Sequence, residues 1–260
     1  GARLTRGPYL QLATADSIVV VWRTLGPAQP MVRYGRAPDR LDVTAPTAAI
    51  LVNDKLYGAA PGAVQYEATL RGLQPLTTYY YAVYDGERLL GGGTPEYRFR
   101  TYPPRGQATP VRFGVYGDSH GDNLHIRFNN KMLLDLGDRE NRPLDLFFHT
   151  GDISSKGNDI ELQRAFESWD MLSRRLVMWV SEGNHEIFTF KDQKLTVPYG
   201  DAFVQPTQGE AGGAPSGTEA YFSFDYGRVH FISLDPFFSD RAADGPMARW
   251  LKEDLARIKA

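Results

Sequence analysis

The sequence predicts an all-β sandwich followed by an α/β domain. Three observations lead there: short apolar segments separated by turn residues up to position 101, a proline-rich break at 102–110, and strands alternating with helical stretches from position 111 onward. A length of 260 residues suits two domains at roughly 150 residues each. In the first part the expected strands are 17–24, 31–34, 65–70, 79–84 and 97–101, interrupted by GPAQP, DGE and GGGTP. Each combines β-branched and aromatic residues between Gly, Pro or Asp, and no sustained 3.6-residue periodicity intervenes. The stretch YPPRGQATP then sets three prolines and a glycine between strand-like runs, which is linker chemistry. The resulting division is 1–101, 102–110 and 111–260.

After the linker the rhythm becomes strand 111–117, helix 123–137, strand 144–149, helix 159–174 and strand 176–180. Residues 187–219 read as a long loop that contains GEAGGAPSG near its end. Two strands follow at 220–225 and 229–234, turned by Tyr226-Gly227, and an amphipathic helix is expected at 246–259. Within the sandwich, Trp22 lies in an early strand, and Leu73-x-Pro75-x-Thr77-x-Tyr79 resembles the tyrosine corner of fibronectin type III domains. A buried tyrosine needs a partner for its hydroxyl, so Tyr79 is expected to pin that connection to the core.

Composition removes several classes of function. At 42% apolar and 23% charged residues the chain is ordinary globular protein. Its apolar runs, such as 18–22 and 176–180, fall far short of the roughly 20 residues a membrane-spanning helix needs. With no cysteine, disulfide frameworks, thiolate zinc sites and thiol nucleophiles are excluded, so any metal must bind through oxygen and nitrogen. The net charge of −2 hides an asymmetry: residues 1–110 hold 12 Lys and Arg against 8 Asp and Glu (+4), and residues 111–260 hold 17 against 23 (−6). An acidic second part argues against a nucleic-acid groove, whose affinity rests on neutralising phosphates, and suits a site that collects cations.

Chemistry concentrates at the carboxyl ends of the three α/β strands. Each runs directly into a polar cluster: GVYGDSHGD at 114–122, HTGDISSKGND at 149–159 and VSEGNHE at 180–186. Ligand sites in open α/β sheets gather at that edge. The clusters supply Asp118 and His120, then Asp152, then Asn184 and His185, oxygen and imidazole donors of the kind that suit iron, manganese or zinc. A carboxylate has two oxygens, and Asp152, following Gly151 at the tip of the middle strand, is placed to bridge two cations. His149, after the apolar residues 146–148, and His230, between Val229 and Phe231, read as satisfied core histidines. His125 reads as exposed or capping near a helix start. Tyr199 and Phe203, in the long loop, are candidates for lining a substrate cleft.

The ordered set Asp118-Ser119-His120, Gly151-Asp152-Ile153-Ser154 and Gly183-Asn184-His185-Glu186 resembles the signature of the calcineurin-like metallophosphoesterases. Its spacing, 34 residues from Asp118 to Asp152 and 32 from Asp152 to Asn184, corresponds to one strand-helix unit between motifs. The preceding sandwich, the opening RGPYLQ and the later YFSFDYGRVHFISLD are similar to the purple acid phosphatase branch of that family. The resemblance implies a fibronectin type III-like sandwich followed by a metallophosphoesterase domain of the two-sheet αββα type, the latter truncated at its carboxyl end. It also implies hydrolysis of phosphate monoesters or diesters by a hydroxide between two metal ions, iron, manganese or zinc. Asp118 and His120 would hold the first ion, Asp152 would bridge, Asn184 would hold the second, and His185 would lie beside the leaving-group oxygen. A small phosphate ester is then the partner, and the location secreted or periplasmic, although the first residues carry no signal-peptide pattern.

Three features depart from that branch. Ser155 stands where it has a tyrosine ligand and His120 where it usually has a small residue, so no tyrosinate absorption is expected from an iron-loaded protein. The histidine and the G-H-x-H motif that complete the family's centre have no counterpart among the five histidines of this sequence. Three alternatives follow: a polypeptide that continues beyond Ala260, a second chain that supplies the remaining histidines, or an incomplete centre in a catalytically dead secreted or surface binding module.

Overall fold

The computed structural model describes residues 1–51, 58–121, 124–186 and 199–258. The first part contains β1 (Arg3–Gln11), β2 (Ile18–Leu25), β3 (Pro30–Gly35), β4 (Val43–Ala45), β5 (Ala48–Leu51), β6 (Ala63–Leu70), β7 (Thr78–Asp85), β8 (Arg88–Gly92) and β9 (Arg98–Arg100). They form two antiparallel sheets ordered β1-β2-β6-β5 and β4-β3-β7-β8, with β9 also paired to β7. The five expected strands are all present. Of the four strands that the pattern missed, β1 carries Arg3, Arg6, Gly7 and Pro8, and β8 ends in Gly91-Gly92. Inside the sandwich Trp22 stacks on Tyr66 with ring centroids 5.4 Å apart. Tyr79 is the expected corner, its hydroxyl accepting the Gln74 N–H at 3.0 Å.

The residues of β2 are apolar almost throughout because both of its faces are covered. Val20 and Trp22 point into the sandwich, while Val19 and Val21 join Tyr9 in a second core with Phe166, Trp169 and Phe203. That second core belongs to the domain that follows. Its centre is a parallel sheet of β10 (Phe113–Tyr116), β11 (Leu146–His149) and β12 (Met178–Val180). The helices α1 (Leu124–Arg139) and α2 (Asp159–Ser173) join the strands and cover one face, where Ile126, Leu162 and Trp169 meet Phe147. On the other face lies the hairpin β13 (Phe222–Tyr226) and β14 (Val229–Ser233), with Trp179 stacked on Phe224 at 3.8 Å.

Beyond the hairpin lies α4 (Pro246–Ile258), with Trp250 against Tyr221 at 5.1 Å. Helices, sheet, hairpin and helix therefore stack in the expected αββα order. His230 fastens α4 to the hairpin: Nδ1 lies 2.6 Å from Asp225 Oδ1 and Nε2 lies 2.7 Å from Asp254 Oδ2. Two carboxylates on one ring require the imidazolium; burial opposes the charge, and the hydrogen bonds and charges of the two acids outweigh burial and raise its pKa. A 3-10 turn, Asn184–Glu186, precedes the expected loop 187–219, the short helix α3 (Tyr199–Ala202) interrupts it, and residues 187–198 of that loop lie outside the described residues. Tyr199 and Phe203 are core residues rather than cleft walls. The Tyr199 hydroxyl donates to Val180 O at 2.8 Å, and Phe203 stacks on Phe166 at 5.5 Å.

The sandwich and the α/β domain are joined through polar groups as well as the shared core. Tyr9 donates to Ala202 O at 2.7 Å, Tyr81 to Arg174 O at 3.0 Å, and Trp179 Nε1 to the Tyr102 hydroxyl at 2.9 Å. The strongest link is a buried ion cluster. Asp159, the first residue of α2, accepts from Arg6 Nη2 at 2.9 Å and from Arg23 Nη1 at 2.8 and 2.9 Å. Burial alone would raise the Asp159 pKa; the two guanidinium groups outweigh it and hold the carboxyl below its ordinary value. A depressed carboxylate contributes stability that is present above the unfolded value, near 3.9, and is lost as pH falls through the folded one. Asp159→Asn should lower the unfolding free energy by about 3–5 kcal/mol at neutral pH, because two guanidinium groups are left buried without a counter-charge. Urea denaturation followed from neutral to acid pH checks this, and the difference from wild type should shrink as the carboxyl protonates.

Candidate metal centre

The three parallel strands end in register, with Tyr116 beside His149 and His149 beside Val180. Backbone pairing continues past them. Asp118 N donates to Gly151 O at 3.0 Å, His120 N to Asp152 O at 3.0 Å and Gly121 N to Ile153 O at 2.6 Å, so the first loop runs along the second as an extension of the sheet. To do so the chain adopts left-handed conformations at Asp118 (φ 54°), His120 (φ 49°) and Asp152 (φ 56°). These are half of the six non-glycine residues with positive φ among the described residues. Each costs on the order of 1–3 kcal/mol, so the surrounding contacts must hold them. Gly151 (φ 100°) is required on two counts, since a Cβ there would also lie 2.6 Å from Gly183 N.

Glu186 supplies much of that hold. Its carboxylate, 3% exposed, accepts from Asp152 N at 2.9 Å, Ile153 N at 2.7 Å, Ser154 N at 3.4 Å and Gly183 N at 2.7 Å. One side chain thus binds four amides from two loops. Asp152 Oδ1 in turn accepts the His185 N–H at 3.0 Å. Further along, Glu161 Oε2 accepts from Ser155 N and Lys156 N at 2.8 Å, and Asn158 caps α2 by accepting Glu161 N at 2.9 Å.

These constraints bring together His120, Asp152 and His185, whose donor atoms all lie within 4.8 Å of one another. The two imidazoles stand edge to face with centroids 4.8 Å apart. His185 Nδ1 lies 2.9 Å from Ser155 O, a carbonyl that can only accept, so Nδ1 carries a proton and Nε2 bears the lone pair of the neutral ring. His185, expected beside a leaving group, therefore sits within the donor group itself. Asp118 is on the rim: its side chain is 81% exposed, with Oδ1 3.8 Å from His120 Nε2, outside that compact trio. Asn184 is half-buried in the turn between Gly183 and His185.

Two imidazoles and a carboxylate at this separation suit a first-row divalent ion. Glu182 is pushed up to about 7, chiefly by burial and further by Asp235, Glu186 and Glu219. Glu219 is raised to about 7, again chiefly by burial. Both shifts report desolvation first and the neighbouring acids only after it.

Sequence reasoning gave no role to Glu186, although it completes the third motif, and none to Ser119 inside the first. His149 is buried as expected, and burial lowers its pKa to about 3. His125 is exposed in the first turn of α1, also as expected.

Comparison with known proteins agrees with this fold. Residues 6–101 match the model of the purple acid phosphatase N-terminal domain, and residues 111–259 match that of the calcineurin-like phosphoesterases. The chain belongs to the calcineurin-like phosphoesterase family. Within it, the chain resembles the purple acid phosphatase branch. It is 28% identical over 224 residues to purple acid phosphatase 15 of Arabidopsis thaliana and 29% identical over 238 residues to purple acid phosphatase 23 of the same plant. Each alignment covers 79% of this chain, but only 40% and 47% of the respective relative, so the chain spans less than half the length of either. The structure of purple acid phosphatase PPD1 from yellow lupin seeds superposes with a TM-score of 0.66 at 20% identity, covering 98% of this chain and 48% of that one. PhoD follows with a TM-score of 0.53 at 18% identity, covering 91% and 52%.

Glu186→Gln retains the shape of the side chain but turns an NH2 group toward two of the four amides. At about 1–3 kcal/mol for each unsatisfied N–H, it should destabilise the protein by about 2–6 kcal/mol. Chemical denaturation reads the loss, and hydrogen exchange should accelerate first at the amides of 152–154 and 183. A change below about 0.5 kcal/mol, the size of an ordinary surface substitution, would contradict the role assigned to this carboxylate.

Proposed function

We propose that this chain hydrolyses phosphate esters, monoesters or diesters, as a metal-dependent phosphoesterase. The observation that carries the reading is the convergence of His120, Asp152 and His185 on three adjacent strand ends, with donor atoms within 4.8 Å of one another. Membership of the calcineurin-like phosphoesterases supports it. In this reading Asp118, His120, Asp152 and Asn184 would hold two metal ions, iron, manganese or zinc. When bound, such ions supply Lewis acidity toward phosphoryl oxygens and bring the pKa of a water toward neutrality.

The chain's own residues do the rest. Glu186 and the paired backbone of 118–121 and 151–153 keep the donors aimed without reorganisation during the reaction. His185, oriented by Ser155 O through Nδ1, is read beside the leaving-group oxygen, where Nε2 must first take up a proton, giving the imidazolium, before the ring passes it to the departing alkoxide. The sandwich, 1–101, is read as a fibronectin type III-like packing domain joined through 102–110 to the catalytic domain 111–260; the Tyr79 corner supports that description. The purple acid phosphatase likeness extends the reading to a secreted or periplasmic location. Among the described residues no helix is long and apolar enough to cross a membrane.

The test is hydrolysis of p-nitrophenyl phosphate and bis(p-nitrophenyl) phosphate with added manganese, zinc or iron. Turnover should require the metal, and Asp152→Asn should lower it by at least about 100-fold, the equivalent of a few kcal/mol of transition-state stabilisation. Turnover that survives chelation, or an Asp152→Asn variant as active as wild type, would contradict the proposal.

A further inference from the structure

His149 takes no part in the reading above, yet it touches both loops that carry the donors. It ends β11, is 1% exposed, and is boxed in by Tyr116 at 5.3 Å and Trp169 at 5.1 Å between ring centroids. Gly151 N donates to His149 Nδ1 at 3.3 Å. A ring nitrogen that accepts an N–H carries no proton, so the ring is neutral and its hydrogen is on Nε2. Nε2 lies 2.9 Å from Ser119 Oγ, which must therefore accept, and the Ser119 hydroxyl hydrogen is left to point at Ile153 O, 3.4 Å away. The result is one directional chain: Gly151 amide, His149 ring, Ser119 hydroxyl, Ile153 carbonyl.

The placement of this chain relative to the strained residues is what gives it a role. Ser119, 3% exposed, sits between Asp118 and His120, both left-handed, and Gly151 precedes Asp152, also left-handed. A hydrogen bond at each of these two points opposes relaxation of all three toward ordinary conformations. We propose that His149 is a positioning residue, whose neutral Nε2–H ring ties Ser119 to the 151–153 loop and so fixes the backbone that aims Asp118, His120 and Asp152. Its consequence for metal affinity rests on the phosphoesterase reading; the hydrogen-bond chain itself does not.

The experiment compares His149→Phe, which keeps the ring's bulk but neither hydrogen bond, with His149→Gln, which restores a donor toward Ser119, and with Ser119→Ala. Manganese binding is measured by calorimetry, and 15N-resolved NMR follows the wild-type imidazole and the amides of 118–121 and 151–153. His149→Phe should weaken manganese binding at least about tenfold, as losses of groups that orient metal ligands do, with Ser119→Ala acting in the same direction and His149→Gln recovering part of the loss. The wild-type ring should carry its proton on Nε2, and both sets of amide resonances should move together in the Phe variant. If His149→Phe fails to fold, Ser119→Ala and His149→Gln carry the comparison. A proton found on Nδ1, amides that stay in place, or manganese binding within twofold of wild type in folded variants would overturn the proposal. If wild type binds no manganese, the phosphoesterase reading fails, and the NMR result alone decides the role of His149.

Discussion

The Glu186 carboxylate is the interaction on which the rest of the site depends. Parallel strands leave their last carbonyls and next amides unpaired at the carboxyl edge, and a buried amide without a partner is costly. Here one buried carboxylate takes four of those amides, three from the loop after β11 and one from the loop after β12. The gain is shared with a cost, since burial raises the pKa of Glu186 despite all four hydrogen bonds. That balance explains why an acid rather than an amide occupies the position: a carboxylate has acceptors on both oxygens, and a carboxamide has them on one.

Around this pin the left-handed residues become affordable in conformational terms. Asp118, His120 and Asp152 each sit where an L side chain is disfavoured, and each has its own or its neighbour's amide fixed to another loop. A flexible version of the same sequence would relax and scatter the donors. The sandwich contributes to the same end from behind. Its β1 and β2 supply Tyr9, Val19 and Val21 to the core beneath α2, and its Arg6 and Arg23 hold Asp159 at the start of that helix. Since α2 begins directly after the second donor loop, the packing domain and the donor group are mechanically connected through Glu161, Asn158 and Asp159.

Much of this was legible in the sequence, for identifiable reasons. The five strongest sandwich strands and the α/β alternation follow from β-branched and aromatic runs punctuated by Gly and Pro, and the structure has them. β1 escaped because Gly7-Pro8 and the two arginines Arg3 and Arg6 mask a strand that is buried by tertiary contacts rather than by its own pattern. Tyr199 and Phe203 were misread because a loop-like composition hid α3, whose aromatic side chains fill the core against Phe166. At the site, residue type and spacing were enough to single out His120, Asp152 and His185. Spacing could not reveal that Asp118 lies on the rim or that His185 stands against His120, because both depend on backbone angles and contacts between loops far apart in sequence. For the same reason Glu186 and His149 were visible as letters but not as partners.

Metal content per polypeptide, measured by elemental mass spectrometry on the purified protein before and after chelation, tests the central claim most directly. The geometry of His120, Asp152 and His185 predicts at least one manganese, zinc or iron ion per chain, removed by chelation and lost in Asp152→Asn. A protein that carries no stoichiometric metal after incubation with these ions would contradict it, and the strand-end cluster would then be a turn-stabilising network without a cation.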